Sequence, residues 1–374
     1  MKNRKMHKAH IYYIDNLRIF LTTLVVLFHL ITAYGAPGGW YYVESTAEFP
    51  EIIPMSMFIT ANQAFLMGMF FLISSFFLLP SLTRKGPKLF IKERLIRLGV
   101  PLVVFYFLLG PLTSYIRDKY IYMKDDNLLS FITNPDIWYF GPMWFVEALL
   151  IFTILFFLVR RLFSNVEMKF PGTYKILLFA FIIALAQFIM RIWLPARWTI
   201  PFTNLRITFF VQYIALFTIG IIANQNNWFD SIKTKISWRW FAFAQVLILV
   251  GFPVLFLLGG AATEGEGKFT GGFYWQNFVY CLWEQLVGIS MIYGLLGIFK
   301  KYFHKQTGFF KNLSAGAYGV YVLHPPVLLV LSAVFLGWQI PQLLKFLALA
   351  PIALTACFLI AWIVKQIPVI KKVL

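Results

Sequence analysis

The sequence predicts an all-α integral membrane protein, a polytopic bundle of about ten transmembrane helices with both termini cytosolic. Three observations carry that reading. The 374 residues are 60% hydrophobic, 19% aromatic and only 13% charged, and a mean hydropathy of +0.74 lies outside the range of soluble globular chains. Apolar runs of the ~17–25 residues needed to cross a ~30 Å hydrocarbon core recur along the whole length. The basic residues alternate between connections, as their excess on the cytosolic side of a membrane requires.

In order, the runs lie near 17–35, 57–80, 96–115, 138–160, 173–193, 205–224, 239–260, 276–299, 315–337 and 342–365. The first follows a basic start that mimics a secretory signal. Arg18 at its beginning, with no small-residue cleavage site before Gly35–Gly39, argues instead for a retained helix. Lys and Arg then crowd the connections between spans 2 and 3 (Arg84 to Arg97), 4 and 5, 6 and 7, and 8 and 9, and the tail after span 10. The alternate connections hold fewer of them and carry acids, among them Glu44, Glu48, Glu51, Asp125, Asp126 and Glu264. The net charge of +18 is therefore read as membrane orientation rather than as a nucleic-acid footprint. No connection is long enough to hold an appended soluble domain, so residues 1–374 are expected to form one membrane domain. Cys281 and Cys357 fall inside spans and read as small apolar residues rather than a disulfide or metal pair.

Span 1 holds the most informative feature, Arg18 at its inner end and His29 farther along. Ionisable groups inside a membrane helix are functional candidates by default. Eleven residues at 100° each end about 20° past three full turns, so both side chains project from one face, about 16 Å apart along the axis. A neutral His29 near the membrane midplane suits a general base that takes a proton from a hydroxyl, and its partner is expected to be another intramembrane acid. Glu147 in span 4 and Glu284 in span 8 qualify by depth; the structural alternative is an ion pair with Arg191 or Arg206, or a hydrogen bond to a Trp. At the inner end, Arg84, Lys85, Arg94 and Arg97 offer paired donors to phosphate oxygens, against the simpler reading of lipid-headgroup contact. His324 precedes Pro325 and Pro326, which free backbone carbonyls beside it in span 9. His7, His10 and His304 have no metal-ligand spacing, and Gly-rich phosphate loops, nucleophile elbows and zinc motifs are all missing from the sequence.

Several of these segments together resemble the acyltransferase 3 family of bacterial membrane proteins, most nearly its glucan-biosynthesis-like branch. They are Tyr13-Ile-Asp-Asn-Leu-Arg18 running to His29, Phe71-Leu-Ile-Ser-Ser-Phe-Phe, Arg94-Leu-Ile-Arg97 leading to Pro101, Met143-Trp-Phe, and Tyr318-Gly-Val-Tyr-Val-Leu-His324. Where the family often has Ser-Gly, this chain has Ser74-Ser75. The resemblance implies an enzyme of the bacterial inner membrane that passes an acyl group, acetyl or another short chain, from cytosolic acyl-CoA to a hydroxyl of a glycan or similar acceptor. Acyl-CoA is then a donor substrate, and no permanently bound cofactor, metal or nucleic acid is implied. By the same resemblance Arg18 and His29 are the functional pair, and Arg94 and Arg97, with Arg84 and Lys85 beside them, bind the donor. Trp144 and His324 are expected at the substrate, with Trp144 a candidate donor to the developing oxyanion. The competing reading is a transporter or flippase of a polar or lipid-linked glycan, with Arg18, His29, Glu147 and Glu284 as a relay.

Overall fold

The computed structural model describes residues 11–163, 166–200 and 203–373. The basic start of the chain, with His7 and His10, lies outside the described residues. Every regular element among the described residues is helical. Among the described residues, ten helices are long and apolar enough to cross a membrane: α1 Tyr12–Ala33, α2 Ile52–Lys85, α3 Pro87–Tyr120, α4 Gly141–Phe163, α5 Thr173–Trp193, α6 Ile207–Gln225, α7 Thr234–Leu258, α8 Trp275–Tyr302, α9 Gly308–Val334 and α10 Gln342–Val364. The ten expected spans are all present. The helices run beyond their apolar runs mainly on the side we call the terminal face, where α1 begins and α10 ends. There α2 continues to Lys85 and α3 begins at Pro87, because polar residues keep the helical hydrogen-bond ladder in water as well as in lipid.

Burial orders the bundle. The apolar window of α8 is 89% buried and that of α7 only 17%, so α8 is the central post and α7 faces lipid. α8 packs on α1, α2, α5 and α7, while α1 also packs on α2, α9 and α10. α2 and α6 approach closely at Gly220, where a Cβ would stand 2.0 Å from Ser75 Oγ and 2.3 Å from the Leu72 carbonyl. Ser75 thus keeps its hydroxyl in a fully buried position because the glycine is on the opposing helix, which compensates for the Ser-Ser departure noted above.

α3 departs from regular geometry. Wide π turns occupy Leu95–Gly99 and Phe105–Leu109, and Pro101 removes the N–H that would have bonded the carbonyl four residues earlier, that of Arg97. Tyr318 of α9 takes up that carbonyl, its hydroxyl donating to Arg97 O at 2.9 Å.

Candidate functional site

α1 and α9 bring two histidines together. His29 Nδ1 lies 3.0 Å from His324 Nε2, and the ring planes are only 16° apart. His324, fully buried, donates its Nδ1–H to the Tyr321 carbonyl at 2.8 Å. That carbonyl is available because Pro325, four residues on, has no N–H to offer it. The Tyr321 hydroxyl in turn donates to the Pro142 carbonyl, tying α9 to the start of α4.

An aromatic roof covers the pair. The Trp40 ring stacks on His29 with centroids 4.2 Å apart and planes at 22°, and it lies 5.9 Å from the His324 ring. Trp40 Nε1–H is buried without a hydrogen-bond partner among the described residues. The 34–51 loop holds Trp40 there. Its turn needs Gly35, whose φ of +101° and 2.4 Å clearance to Ser45 O leave no room for a Cβ. Glu44 N–H donates to Ala33 O at 2.9 Å and Ala47 N–H to Gly35 O at 3.1 Å, folding the loop back on α1. A buried ion pair at 2.6 Å joins Glu44 to Lys345 of α10, and Leu343 N–H donates to Glu51 at 3.1 Å. The latch joins the end of α1 to the beginning of α10.

The terminal face carries the cationic end of the site. Arg18 pairs with Asp15 at 3.2 Å and lies 5.2 Å over the Phe77 ring. Arg94 lies 5.5 Å over Phe90. Arg18, Arg94 and Arg97 are close enough to act on one another's charge. Lys365 joins them from the end of α10: burial, with Arg97 and Lys371 nearby, holds its ammonium below the ordinary lysine range, and it donates to the Ala315 carbonyl. One aspartate among these cations leaves the cluster positive. Lys85, by contrast, is taken by Glu93, and Arg84 is exposed beside it.

The other candidates separate from this axis. Glu284 is fully engaged away from His29, paired with Arg191 at 2.8 Å and accepting from Gln187 at 3.0 Å. The structural alternative for Glu284 is the arrangement seen. Glu147 is half-buried, its Oε2 unpartnered among the described residues. Trp144 stacks on Tyr213 at 5.7 Å rather than on either histidine. The acid expected beside His29 is replaced by His324, since α9 and not α4 or α8 presents a polar group to that ring. His29 also lies nearer the face opposite the termini than its apolar run implied, four residues from the end of α1, because that helix starts before the run does. Trp40 was not singled out in the sequence; an aromatic in a Gly-rich loop carries no signal of where it will lie.

The arrangement is thus a cationic cluster joined by one helix face to an imidazole pair under an indole roof, about 16 Å farther along α1. Such a pair can accept and return a proton. Residues 11–363 match the family model described as an acyltransferase domain. No curated protein and no solved structure matches the chain. The match spans nearly all of the ten-helix bundle, and the chain belongs to the acyltransferase 3 family of membrane acyltransferases.

Proposed function

We propose that the protein is an O-acyltransferase of the bacterial inner membrane that moves a short acyl group, acetyl in the first instance, from cytosolic acyl-CoA to a hydroxyl of an extracytoplasmic glycan or similar acceptor. The observation that carries this reading is the placement of Arg18 and His29 at two ends of one helix face. Arg18 stands with Arg94 and Arg97, and His29 with His324 under Trp40. Guanidinium groups suit the phosphates of CoA, which lipid excludes, while the uncharged pantetheine arm can lie along α1 toward His29.

In the transfer, His29 takes the proton of the acceptor hydroxyl as its oxygen attacks the thioester carbonyl. The carbonyl oxygen gains negative charge, and the unpartnered Trp40 Nε1–H stands beside His29 to donate to it. The C–S bond then breaks, the thiolate recovers the proton from His29, and ester and free CoA leave. Bond and proton counts balance without a further reactant.

The test is release of CoA from acetyl-CoA by the purified protein in lipid, with a mixed glycan extract as acceptor. Release should require both the extract and His29, and His29→Ala should lose about 10²-fold or more. Near-wild-type turnover by a folded His29→Ala protein would remove the base role. No release from any of several acyl-CoAs by folded protein would favour transport of the glycan instead.

A further inference from the structure

The proton positions on the two histidines follow from the groups around them. A carbonyl accepts hydrogen bonds and never donates, so the Tyr321 carbonyl 2.8 Å from His324 Nδ1 puts a proton on that nitrogen. A neutral imidazole carries only one, so His324 Nε2 is a bare lone pair. That lone pair lies 3.0 Å from His29 Nδ1, which must supply the proton between them.

We infer that His324 is the positioning residue for His29, with Pro325 setting the arrangement. Pro325 frees the Tyr321 carbonyl, the carbonyl claims His324 Nδ1–H, and the bare His324 Nε2 holds His29 in the form whose Nε2 is the base. When His29 Nε2 takes up a proton, the remaining Nδ1–H still points at His324 Nε2, so the positive charge is shared along the hydrogen bond. Trp40, stacked over His29 and 5.9 Å from His324, stabilises that charge through its ring face. A carboxylate in the place of His324 would do the same work but would need its own charge buried. A neutral imidazole carries no such cost.

This inference rests on the base role of His29 proposed above, yet its first test does not need turnover. The full-length protein, labelled with ¹⁵N-histidine in lipid bilayers, is examined by solid-state NMR, with His29→Ala and His324→Gln used for assignment. Resting His29 should show a protonated Nδ1 and a bare Nε2, and His324 the same. A proton on His29 Nε2, or a cationic resting pair, would overturn the inference. Kinetics provide the second test. His324→Leu should lower turnover about 100-fold, with KM for acyl-CoA within about threefold, because donor binding lies at the other end of α1. His324→Gln, whose amide oxygen can accept from His29 Nδ1–H, should recover at least about tenfold over the leucine variant. If leucine and wild type turn over alike, or if glutamine is no better than leucine, His324 does not act through His29. Should the leucine variant fail to fold, the wild-type spectrum and the glutamine variant still decide. A wild type that releases no CoA but shows the expected protonation states would defeat the activity proposed above and leave this assignment standing.

Discussion

Cutting the Arg191–Glu284 pair tests how the bundle tolerates charge in its interior, and its two halves should fail differently. Arg191 is fully buried and Glu284 2% exposed, their N and O atoms are 2.8 Å apart, and Phe209 and Tyr280 rings flank the guanidinium at 5.0 and 5.7 Å. Water cannot replace a missing partner there. Glu284→Gln strands a guanidinium that cannot shed its proton, and should cost about 3–5 kcal/mol at any pH between about 5 and 8. Arg191→Met leaves a carboxylate that escapes by taking up a proton. Holding it neutral at pH 7, against an ordinary glutamate value of about 4.3, costs about 3.7 kcal/mol at about 1.36 kcal/mol per pH unit; at pH 5 the same step costs about 1 kcal/mol. The sign follows from proton binding. The folded variant holds a proton that its unfolded chain has released, so its stability relative to wild type rises as pH falls from 7 toward about 4.3. Equilibrium unfolding in mixed micelles at pH 7 and pH 5, on both single variants and the double, measures this directly. The double variant should be more stable than Glu284→Gln alone, since no charge is left behind. An Arg191→Met deficit that does not shrink between pH 7 and pH 5, or a double variant no better than Glu284→Gln, would refute the reasoning.

Two further outcomes follow from the ends of the site. Replacing both Arg94 and Arg97 by Ala should weaken acyl-CoA binding by about tenfold or more, with the loss diminishing as salt is raised, since a guanidinium–phosphate contact is charge-assisted; unchanged affinity by equilibrium dialysis would remove the donor clamp. Lys345→Met should cost about 3 kcal/mol by leaving Glu44 without its partner in a nearly closed site, and hydrogen exchange should rise in residues 34–51 ahead of the helices. Exchange unchanged in that loop would mean that Glu44 does not hold it.

The spans were legible because lipid demands apolar sequence along each crossing, and the ten runs correspond one to one with the ten helices. The ends were less so. From Ser81 to Arg94 the chain is rich in charged and polar residues, yet α2 reaches Lys85 and α3 begins at Pro87, because hydropathy reports the solvent of a segment and not its backbone. His29 stood out as an imidazole within an apolar run, and Arg94 and Arg97 as a pair on one turn. The pairing of charges was partly legible. Glu284 found Arg191, one of the cations named for it, as burial of opposite charges requires.

What the sequence could not show was which helix would face His29. An acid was the reasonable expectation for a base, and it failed because proximity between spans is a property of packing: α9, not α4 or α8, lies against the face of α1 that carries the imidazole. Yet the means by which His324 is held was written locally. A proline in a helix orphans the carbonyl four residues back, and in this bundle two such carbonyls are claimed by side chains of α9. Pro101 frees Arg97 O for Tyr318, and Pro325 frees Tyr321 O for His324. Tyr318 and His324 are six residues apart, about 9 Å along α9. One helix therefore fastens to α3 beside the cationic cluster and presents His324 to His29 at the other end of the site. Shifting either proline by one position would keep the hydropathy of the span, and with it the fold class, while releasing a different carbonyl and losing this alignment.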